Sequence, residues 1–337
     1  MNHLDPSLTL QDLGEQGLLR EVQRFCPAGL VGDDGAVLRA SHLQNWVVTT
    51  DLLVAGVHFS DLTTSAEDVG WRGAAANLSD LAAMGATPVG ITVGLALPPS
   101  LPVVWVQQLY AGLTACLAPW QTPIVGGDIC RSQTCTIAIT ALGDVRSERA
   151  IRRATVQVGD AVVVTGVHGA AKAGLELLLN PTRGEQLPDG DRQRWILAHQ
   201  RPRPRLDVSN YIMAQGWPRV AGMDSSDGLA DAILQLCRAS GVGAHIQAQR
   251  IPLPRGLVDW VGAAQALDWG LYGGEDFELV LCLPLPQAEA LVRHWGEPTR
   301  IIGHITPEPA VILEVAPHHT QELKWESGFQ HFGAELA

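Results

Sequence analysis

Short apolar segments that run directly into glycine, threonine or aspartate constrain the fold of this chain more than any other feature. Residues 46–51 (WVVTTD), 123–128 (PIVGGD) and 161–166 (AVVVTG) all have this form. Brief β-branched segments of this kind predict buried strands. Longer segments with helical spacing of apolar residues lie between them. The alternation predicts an α/β (α+β) protein whose polar residues gather at the ends of strands.

The predicted helices begin and end at recognisable signals. Ser65 followed by Asp68 resembles a capping box, and Gly85 has the place of a C-cap. Pro102 begins a second helix that ends near residue 117. Further helices are predicted at residues 170–179, 206–215 and 228–239, whereas the polar segment 181–194 is predicted to be a loop.

A chain of 337 residues is long enough for two domains that each bury a core. The segment 146–153 (RSERAIRR) is polar and lacks an apolar period, so it is the best candidate for a boundary. We therefore predict an N-terminal domain over residues 1–148 and a C-terminal domain over residues 149–337.

Charge and hydropathy exclude several classes of partner. The net charge of −12 argues against binding nucleic acid through a basic surface. No apolar run is long enough for a membrane span, and the polar N-terminus lacks the features of a signal peptide. The six cysteines are scattered without the spacing of a zinc site, so they are predicted to be reduced structural thiols. The default expectation is a cytoplasmic protein.

Aspartates recur in turns rich in glycine, serine and threonine. Carboxylates that gather in space repel one another unless cations lie between them. Magnesium together with nucleotide phosphates commonly resolves such repulsion, and phosphoryl transfer needs positioning and charge neutralisation above all. The recurring aspartates are Asp33, Asp51, Asp80, Asp128, Asp224 and Asp227.

Other catalytic devices are absent from the sequence. It contains no GxSxG elbow and no HExxH zinc motif. Residues 166–173 (GVHGAAKA) resemble a P-loop, but Ala171 replaces the second glycine and Ala173 replaces the hydroxyl residue that would bind magnesium. We therefore interpret this segment as a close turn from a strand to a helix.

Six motifs in register carry a resemblance to a known family. They are GDDGAV (32–37), TTDLLVAGVHF (49–59), NLSDLAAMGATP (77–88), VGGDICRS (125–132), MDSSDGLADAI (223–233) and GGEDFEL (273–279). Together they resemble the thiamine-monophosphate kinases, within the superfamily of aminoimidazole-ribonucleotide synthetase, selenophosphate synthetase and a hydrogenase-maturation protein. The second and third motifs, with the terminal GFQHF, point to the thiamine branch.

The resemblance implies a two-domain aminoimidazole-ribonucleotide synthetase-like fold and a homodimer. The N-terminal domain would dimerise through its sheet and bind ATP and Mg²⁺ in a groove at the dimer interface. The C-terminal α/β domain would complete the active site. The implied reaction is in-line transfer of the γ-phosphoryl group of ATP to thiamine monophosphate, with several Mg²⁺ ions bridging phosphates and aspartates.

The resemblance also implies roles for individual residues, with no catalytic residue separate from the metal ligands. The metal ligands are Asp33, Thr49, Thr50, Asp51, Asp80, Asp128, Asp224 and Asp227. The positions that contact ATP are Tyr110, Gly127, Asp128, Arg153 and Ser226. The positions near thiamine monophosphate are His58, Glu275 and Phe329, whose ring would stack on the cationic thiazolium. For the second acids, Asp34 and Asp276, support of the site and capping of a turn are both open.

Two alternative functions stay open on the sequence. Another ATP-dependent synthetase of the superfamily would share the aspartates but need different acceptor residues. A reactive cysteine in a glycine-rich N-terminal loop or near the C-terminus, which two of those enzymes would show, is not present. A nucleotide-binding sensor without catalysis is the second alternative, and ADP release that depends on an acceptor distinguishes the enzyme from it.

Overall fold

A computed structural model describes residues 8–9, 21, 24–25, 44–146 and 149–324. These residues belong to two compact units. The first unit holds the described residues up to 81 together with 86–146, and the second holds 82–85 and 149–324.

The first unit is built on a four-stranded sheet. Its strands are β1 (Gln44–Val54), β2 (Thr87–Leu97), β3 (Ile124–Arg131) and β4 (Thr136–Arg146), in the spatial order β1-β4-β2-β3. Strand β4 is antiparallel to both neighbours, whereas β2 and β3 are parallel. Strands β1 and β3 are therefore the two edges, and three strand spacings of about 4.8 Å place them about 14 Å apart.

Two helices pack on this sheet and on each other. Helix α1 (Ala66–Ala83) begins with the predicted capping box, since Ser65 Oγ donates to Asp68 Oδ2 (2.6 Å) and accepts from the Asp68 N–H (3.2 Å). It crosses α2 (Val103–Leu117) so closely that a Cβ added at Gly70 would lie 1.9 Å from the carbonyl oxygen of Leu109. The close crossing sets the distance between α1 and α2, the helix pair beside which β1 lies.

The opposite face of the sheet exposes apolar side chains. Trp46, Val48 and Leu52 alternate with inward-facing residues along β1 and are 42%, 60% and 54% exposed. A strand normally buries one of its two faces. In the described part of the first unit, this second face of β1 is apolar and open.

The sequence predicts that one strand ends at residues 49–51 and another at residues 126–128, and both predictions are wrong. Residues 49–51 lie within β1, because β4 pairs with β1 residue by residue as far as Val54. Residues 126–128 likewise lie within β3, which pairs with β2 as far as Arg131. The polar residues are thus held by strand pairing and not by a turn.

The second unit contains a seven-stranded mixed sheet. Its order is β11-β10-β7-β9-β5-β8-β6, and only β7 and β10 are parallel neighbours. The strands are β5 (Ala161–Val164), β6 (Ala221–Asp224), β7 (Gly243–Gln247), β8 (Leu279–Leu283), β9 (Arg300–Thr306), β10 (Val311–Ala316) and β11 (His319–Glu322). The central strands β5 and β8 are buried at every residue, as their apolar composition predicts.

Seven α-helices surround or flank this sheet in the described residues of the second unit. They are α3 (Ala170–Leu179), α4 (Asp189–Gln200), α5 (Leu206–Gln215), α6 (Leu229–Ser240), α7 (Leu257–Val261), α8 (Ala263–Tyr272) and α9 (Leu285–Trp295). Helix α6 buries Leu229, Ile233 and Leu236 in the core. The predicted loop at residues 181–194 is wrong, because it contains the start of α4. Asp189 and Asp191 in the first turn of α4 favour that helix through its dipole.

Four of the five described cysteines have the buried, structural character that their neighbours predict. Of those that the structure describes, Cys116, Cys135, Cys237 and Cys282 are buried and Cys130 is exposed, all as free thiols. Burial raises the pKa of Cys116 and of Cys237 to about 12, so these thiols stay protonated at neutral pH. In the described residues, no helix combines the length and hydropathy that a bilayer crossing requires.

Candidate active site

One group of predicted metal ligands lies where β1 passes beneath α1. The Thr49 hydroxyl donates to Asp80 Oδ2, which ties the middle of β1 to the helix. Asp51 lies two residues along the strand and therefore points to the same side. All three side chains are half-buried. Two carboxylates and a hydroxyl are the hard oxygen donors that a magnesium ion prefers.

Thr50 and Asp128 lie on the other face of the sheet. The Thr50 hydroxyl is 2.9 Å from the Thr140 hydroxyl across the strand pair. Asp128 pairs with Gly94 of β2, and this row of partners continues through β4 to Leu52 of β1. Because directly paired residues share a face, Asp128 lies on the exposed face with Leu52. Asp51 and Asp128 therefore lie on opposite faces and at opposite edges of the sheet.

The predicted ligands do not form one cluster in the described part of the chain. Its residues contain no group of three or more His, Cys, Asp or Glu side chains that could hold a metal ion. Asp33 and its neighbour Asp34 lie outside the described residues, as does Phe329. Any ion held by Asp51 and Asp80 therefore draws on neutral oxygen donors or on groups beyond the described set.

His58 has a fixed ring orientation just beyond β1. Its Nδ1 atom accepts the Val54 N–H (3.1 Å), and its carbonyl oxygen accepts Arg72 Nη2 (3.3 Å). A neutral His58 must then carry its proton on Nε2. The side chain is half-buried.

The two predicted nucleotide contacts of the first unit differ in exposure. Tyr110 on α2 is only 3% exposed, and its ring lies 5.5 Å from the ring of Phe25. Gly127 is exposed on the edge strand β3, where its backbone pairs with Val93 on one side. Of the two, Gly127 is the one whose backbone is open to a ligand.

In the second unit, the loop between β6 and α6 gathers several predicted ligands. Asp224 is buried at the end of β6 and accepts a hydrogen bond from Ser226 Oγ (3.0 Å). Asp227 is exposed. Gly228 follows with a φ of +106° and is the N-cap of α6, whose unpaired N–H groups favour anions. The loop thus places acids beside a site that suits phosphate, an arrangement that needs a cation.

The Gly-Gly-Glu-Asp segment packs directly on that loop. The Glu275 N–H donates to the Ser226 carbonyl oxygen (2.7 Å). Glu275 itself has a φ of +59° and Phe277 a φ of +51°, conformations that are costly for residues with a side chain. Glu275 Oε2 lies 3.6 Å from Nδ1 of the buried His199. The carboxylate thus lies beside a buried histidine, on a backbone that the contact with Ser226 holds in an uncommon conformation.

Asp276 caps helix α3. Its carboxylate accepts the N–H groups of Gly169 (2.6 Å) and Ala171 (2.9 Å) at the start of that helix. This confirms the capping alternative for Asp276 and also explains why residues 166–173 are no phosphate loop: a side chain of the protein occupies the anion position. Burial raises the pKa of Asp276 to about 7, although the N–H donors act in the opposite direction.

Arg153 is held by a chain of hydrogen bonds along α6. Its Nη1 atom donates to Gln235 Oε1, and Gln235 Nε2 donates to Asp231 Oδ2 (2.5 Å). Burial raises the pKa of Asp231, and the negative charge of Asp227 raises it further. The exposed arginine is thus linked to the acidic loop through two residues of one helix.

Three of these residues, and Asn77 of α1, are not predicted from the sequence as part of a site. Asp231 and Gln235 have the i, i+4 spacing that places both on one face of α6, and Asp231 lies inside the MDSSDGLADAI motif. This spacing is a sequence signal that indicates Asp231 and Gln235 as neighbours on the helix. Asn77 shares a face of α1 with Asp80, which is also visible in the sequence. His199 reaches Glu275 only through the tertiary fold, so no local pattern indicates it.

Family models match most of the chain. Residues 32–145 match the AIR synthase related protein, N-terminal domain, and residues 157–316 match the AIR synthase related protein, C-terminal domain. The thiamine-monophosphate kinase of Synechococcus elongatus is 52% identical over 330 residues, which is 96% of this chain and 98% of that protein.

Solved structures agree with this likeness. The crystal structure of thiamine-monophosphate kinase from Stenotrophomonas maltophilia is 31% identical, with a TM-score of 0.77 over 89% of this chain and 95% of that one. AaThiL complexed with AMPPCP and TMP is 28% identical, with a TM-score of 0.71 over 96% of this chain and 99% of that one. The two-domain α/β fold of the AIR synthase-like proteins is therefore confirmed, and the chain belongs to the thiamine-monophosphate kinase family of enzymes.

Proposed function

We propose that this chain transfers the γ-phosphoryl group of ATP to thiamine monophosphate and so forms thiamine diphosphate and ADP. The observation that carries the proposal is the 52% identity, over nearly the whole chain, to a thiamine-monophosphate kinase. The similar structure of AaThiL with AMPPCP and TMP supports the same pair of substrates, because AMPPCP differs from ATP in the β,γ-bridging atom.

The reaction needs one bond to form and one to break. A phosphate oxygen of thiamine monophosphate attacks the γ-phosphorus, and the bond from that phosphorus to the β,γ-bridging oxygen breaks as ADP leaves. Both reactants carry negative charge, so positioning and neutralisation dominate the barrier. The Arg153 guanidinium donates a hydrogen bond to Gln235, which positions its positive charge. An arginine of this kind suits a nucleotide phosphate.

Magnesium fits the donors that the described residues offer. Thr49, Asp51 and Asp80 of the first unit supply oxygen only, as do Asp224, Asp227 and Ser226 of the second. We propose that these residues hold the Mg²⁺ ions that neutralise the phosphates during in-line transfer. Thr50 and Asp128 share the other face of the sheet and belong to a separate ligand group.

Thiamine monophosphate carries a cationic thiazolium as well as a phosphate. The Glu275 carboxylate lies beside His199 on a strained backbone and supplies a negative charge that suits that ring. His58 lies just beyond β1 with Nδ1 accepting the Val54 N–H, so the orientation of its ring is set by the backbone. We propose these two residues as the described contacts to the acceptor.

We propose that a second copy of the chain covers the exposed face of the four-stranded sheet. Trp46, Val48 and Leu52 expose large apolar side chains in a row, as an interface core would. Val48→Lys should convert a dimer to a monomer in light scattering after gel filtration. Val258→Lys, at a 43% exposed position of the second unit, is the matched control. A dimer that survives Val48→Lys would disprove this interface.

The activity is tested by incubating the protein with ATP, Mg²⁺ and thiamine monophosphate and separating the products. Thiamine diphosphate should form from the monophosphate but not from free thiamine, and EDTA should abolish it. Asp51→Asn should reduce turnover by about 100- to 1000-fold, the range typical of a group that stabilises charge in the transition state. Bound ATP without any product would favour the sensor, and full activity of Asp51→Asn would disprove the metal assignment.

A further inference from the structure

Asn77 of helix α1 is a buried polar residue, and only one of the two polar ends of its side-chain amide makes a hydrogen bond. It is fully buried, and Nδ2 donates to the Gly73 carbonyl oxygen (3.0 Å). Oδ1 is also buried and has no hydrogen-bond partner in the described structure. Because the Gly73 oxygen can only accept, the amide cannot be turned around to remove the problem. A buried carbonyl oxygen without a partner is uncommon and indicates a missing donor or cation.

The position of Asn77 relative to β1 follows from two contacts of α1. A Cβ added at Gly73 would lie 3.7 Å from Leu53 Cδ1, and Asp80 accepts a hydrogen bond from Thr49. Helix α1 therefore runs along β1 in the opposite direction. Residues 73, 77 and 80 fall within about 60° of one another around the helix, so Asn77 faces the sheet as they do.

Asp51 is the strand residue at the same level. It lies between Leu53 and Thr49 along β1 and points to the same side as both. A helical side chain leans toward the N-terminus of its helix, which here is the direction from Thr49 toward Leu53. The Asn77 side chain is thus placed over the level of Asp51, on the face of α1 that also carries Asp80.

We propose that Asn77 Oδ1 binds a divalent cation that Thr49, Asp51 and Asp80 hold. The oxygen contacts this cation either directly or through a water bound to it. The inference rests on the Mg²⁺ site of the proposed function and adds a residue to it. Hard cations accept amide carbonyl oxygens readily. A neutral donor also completes the coordination without adding a third repelling charge. This agrees with the lack of a three-acid group in the described residues.

The decisive variant is Asn77→Leu, which keeps the branched outline and the number of side-chain non-hydrogen atoms and removes both polar ends. Ser79→Ala is the matched control, because Ser79 is equally buried on α1 but points to a different side. Binding of Mn²⁺, alone and with AMPPCP, is measured by electron paramagnetic resonance. We expect Asn77→Leu to weaken Mn²⁺ binding by at least about 10-fold and Ser79→Ala to leave it unchanged.

The outcomes separate this inference from the proposed function. Wild-type protein that binds no Mn²⁺ under either condition would refute the proposed metal site itself. Equal Mn²⁺ affinity in wild type and Asn77→Leu would refute the role of Asn77 alone.

Asn77→Asp gives a second test if Asn77→Leu fails to fold. A third acid should lower the melting temperature without metal and enlarge the rise in melting temperature that Mg²⁺ produces. A rise equal to that of the wild type would overturn the proposal.

Discussion

Replacing Asp276 with asparagine tests the unusual position of this carboxylate at the start of α3. The carboxylate is largely enclosed and accepts two backbone N–H groups, and burial raises its pKa from 3.8 to about 7. An asparagine keeps one acceptor oxygen in the same place but cannot ionise. The comparison therefore isolates the cost of holding a charge at this position.

The sign and size of the effect follow from the raised pKa. Well below pH 3.8, Asp276 is protonated in both the folded and the unfolded chain. As the pH rises to about 7, the unfolded chain ionises first, and the folded chain loses relative stability. A difference of about 3 pKa units corresponds to at most about 4 kcal/mol, less whatever remaining contact with water and coupling to Glu278 remove. Above pH 7 the loss is complete and constant.

Urea unfolding of wild type and Asp276→Asn at intervals from pH 4 to pH 8 measures this difference. The free energy of unfolding of the wild type, minus that of the variant, should fall by about 2–4 kcal/mol over this range. The effects of all ionisable groups that the two proteins share cancel when one free energy of unfolding is subtracted from the other. Asp189→Asn, at an exposed position in the first turn of α4, is the control. A wild-type-minus-variant difference that does not change with pH would refute the enclosed, protonated carboxyl at Asp276.

Three further predictions concern packing, the nucleotide and the metal. Gly70→Ala must push α1 and α2 apart by about 1.5 Å to restore van der Waals contact with Leu109, so it should lower the free energy of unfolding by about 2 kcal/mol. Gly190→Ala, a helical position with nothing within 4 Å of the added methyl, should instead raise it by up to about 1 kcal/mol, and urea midpoints compare the two variants. Gln235→Leu removes the acceptor that holds Arg153 and should raise the KM for ATP by about 10-fold, with a smaller effect on kcat, in steady-state kinetics. Removal of divalent cations with EDTA should stop product formation, and excess Mg²⁺ should restore it; activity that persists in EDTA would exclude a metal requirement.

The helices with strong local signals could be predicted closely from the sequence. Helix α1 begins at the Ser65–Asp68 capping box and is followed by Gly85, which has the predicted left-handed φ of +70°. Helices α3 and α5 have their predicted bounds. Their apolar periods and, for α1, a local cap indicate these helices from neighbouring residues, whereas the cap of α3 comes from the distant Asp276.

Helix α4 could not be predicted in this way because its sequence is mainly polar. Among its twelve residues only Trp195 and His199 are buried. Its place depends on packing against α3, where the Trp195 carbonyl lies so close to Gly174 that a Cβ there would be 2.0 Å away. Contacts with a distant segment thus determine this helix, and a local pattern does not contain them.

The sequence names candidate ligands but does not contain their arrangement. Thr49, Thr50 and Asp51 are consecutive and suggest a single ligand group. Because they lie inside a strand, alternation sends Thr50 to the face opposite Thr49 and Asp51. The length of that strand is set by its pairing with β4, which is remote in sequence. The division of the ligands into two groups therefore follows from strand pairing.

The two Gly-Gly-acid segments show why a motif alone does not assign a role. Asp128 follows Gly126-Gly127 and is exposed on an edge strand, where its carboxylate faces outward. Asp276 lies in a similar setting after Gly273-Gly274, yet its oxygens already accept the N–H groups of α3. A carboxylate with satisfied oxygens has little capacity left for a cation, whereas its neighbour Glu275 is half-buried with Oε2 3.6 Å from His199 Nδ1. The hydrogen-bond partners of each acid therefore identify Asp276 as a cap, which the shared motif alone does not.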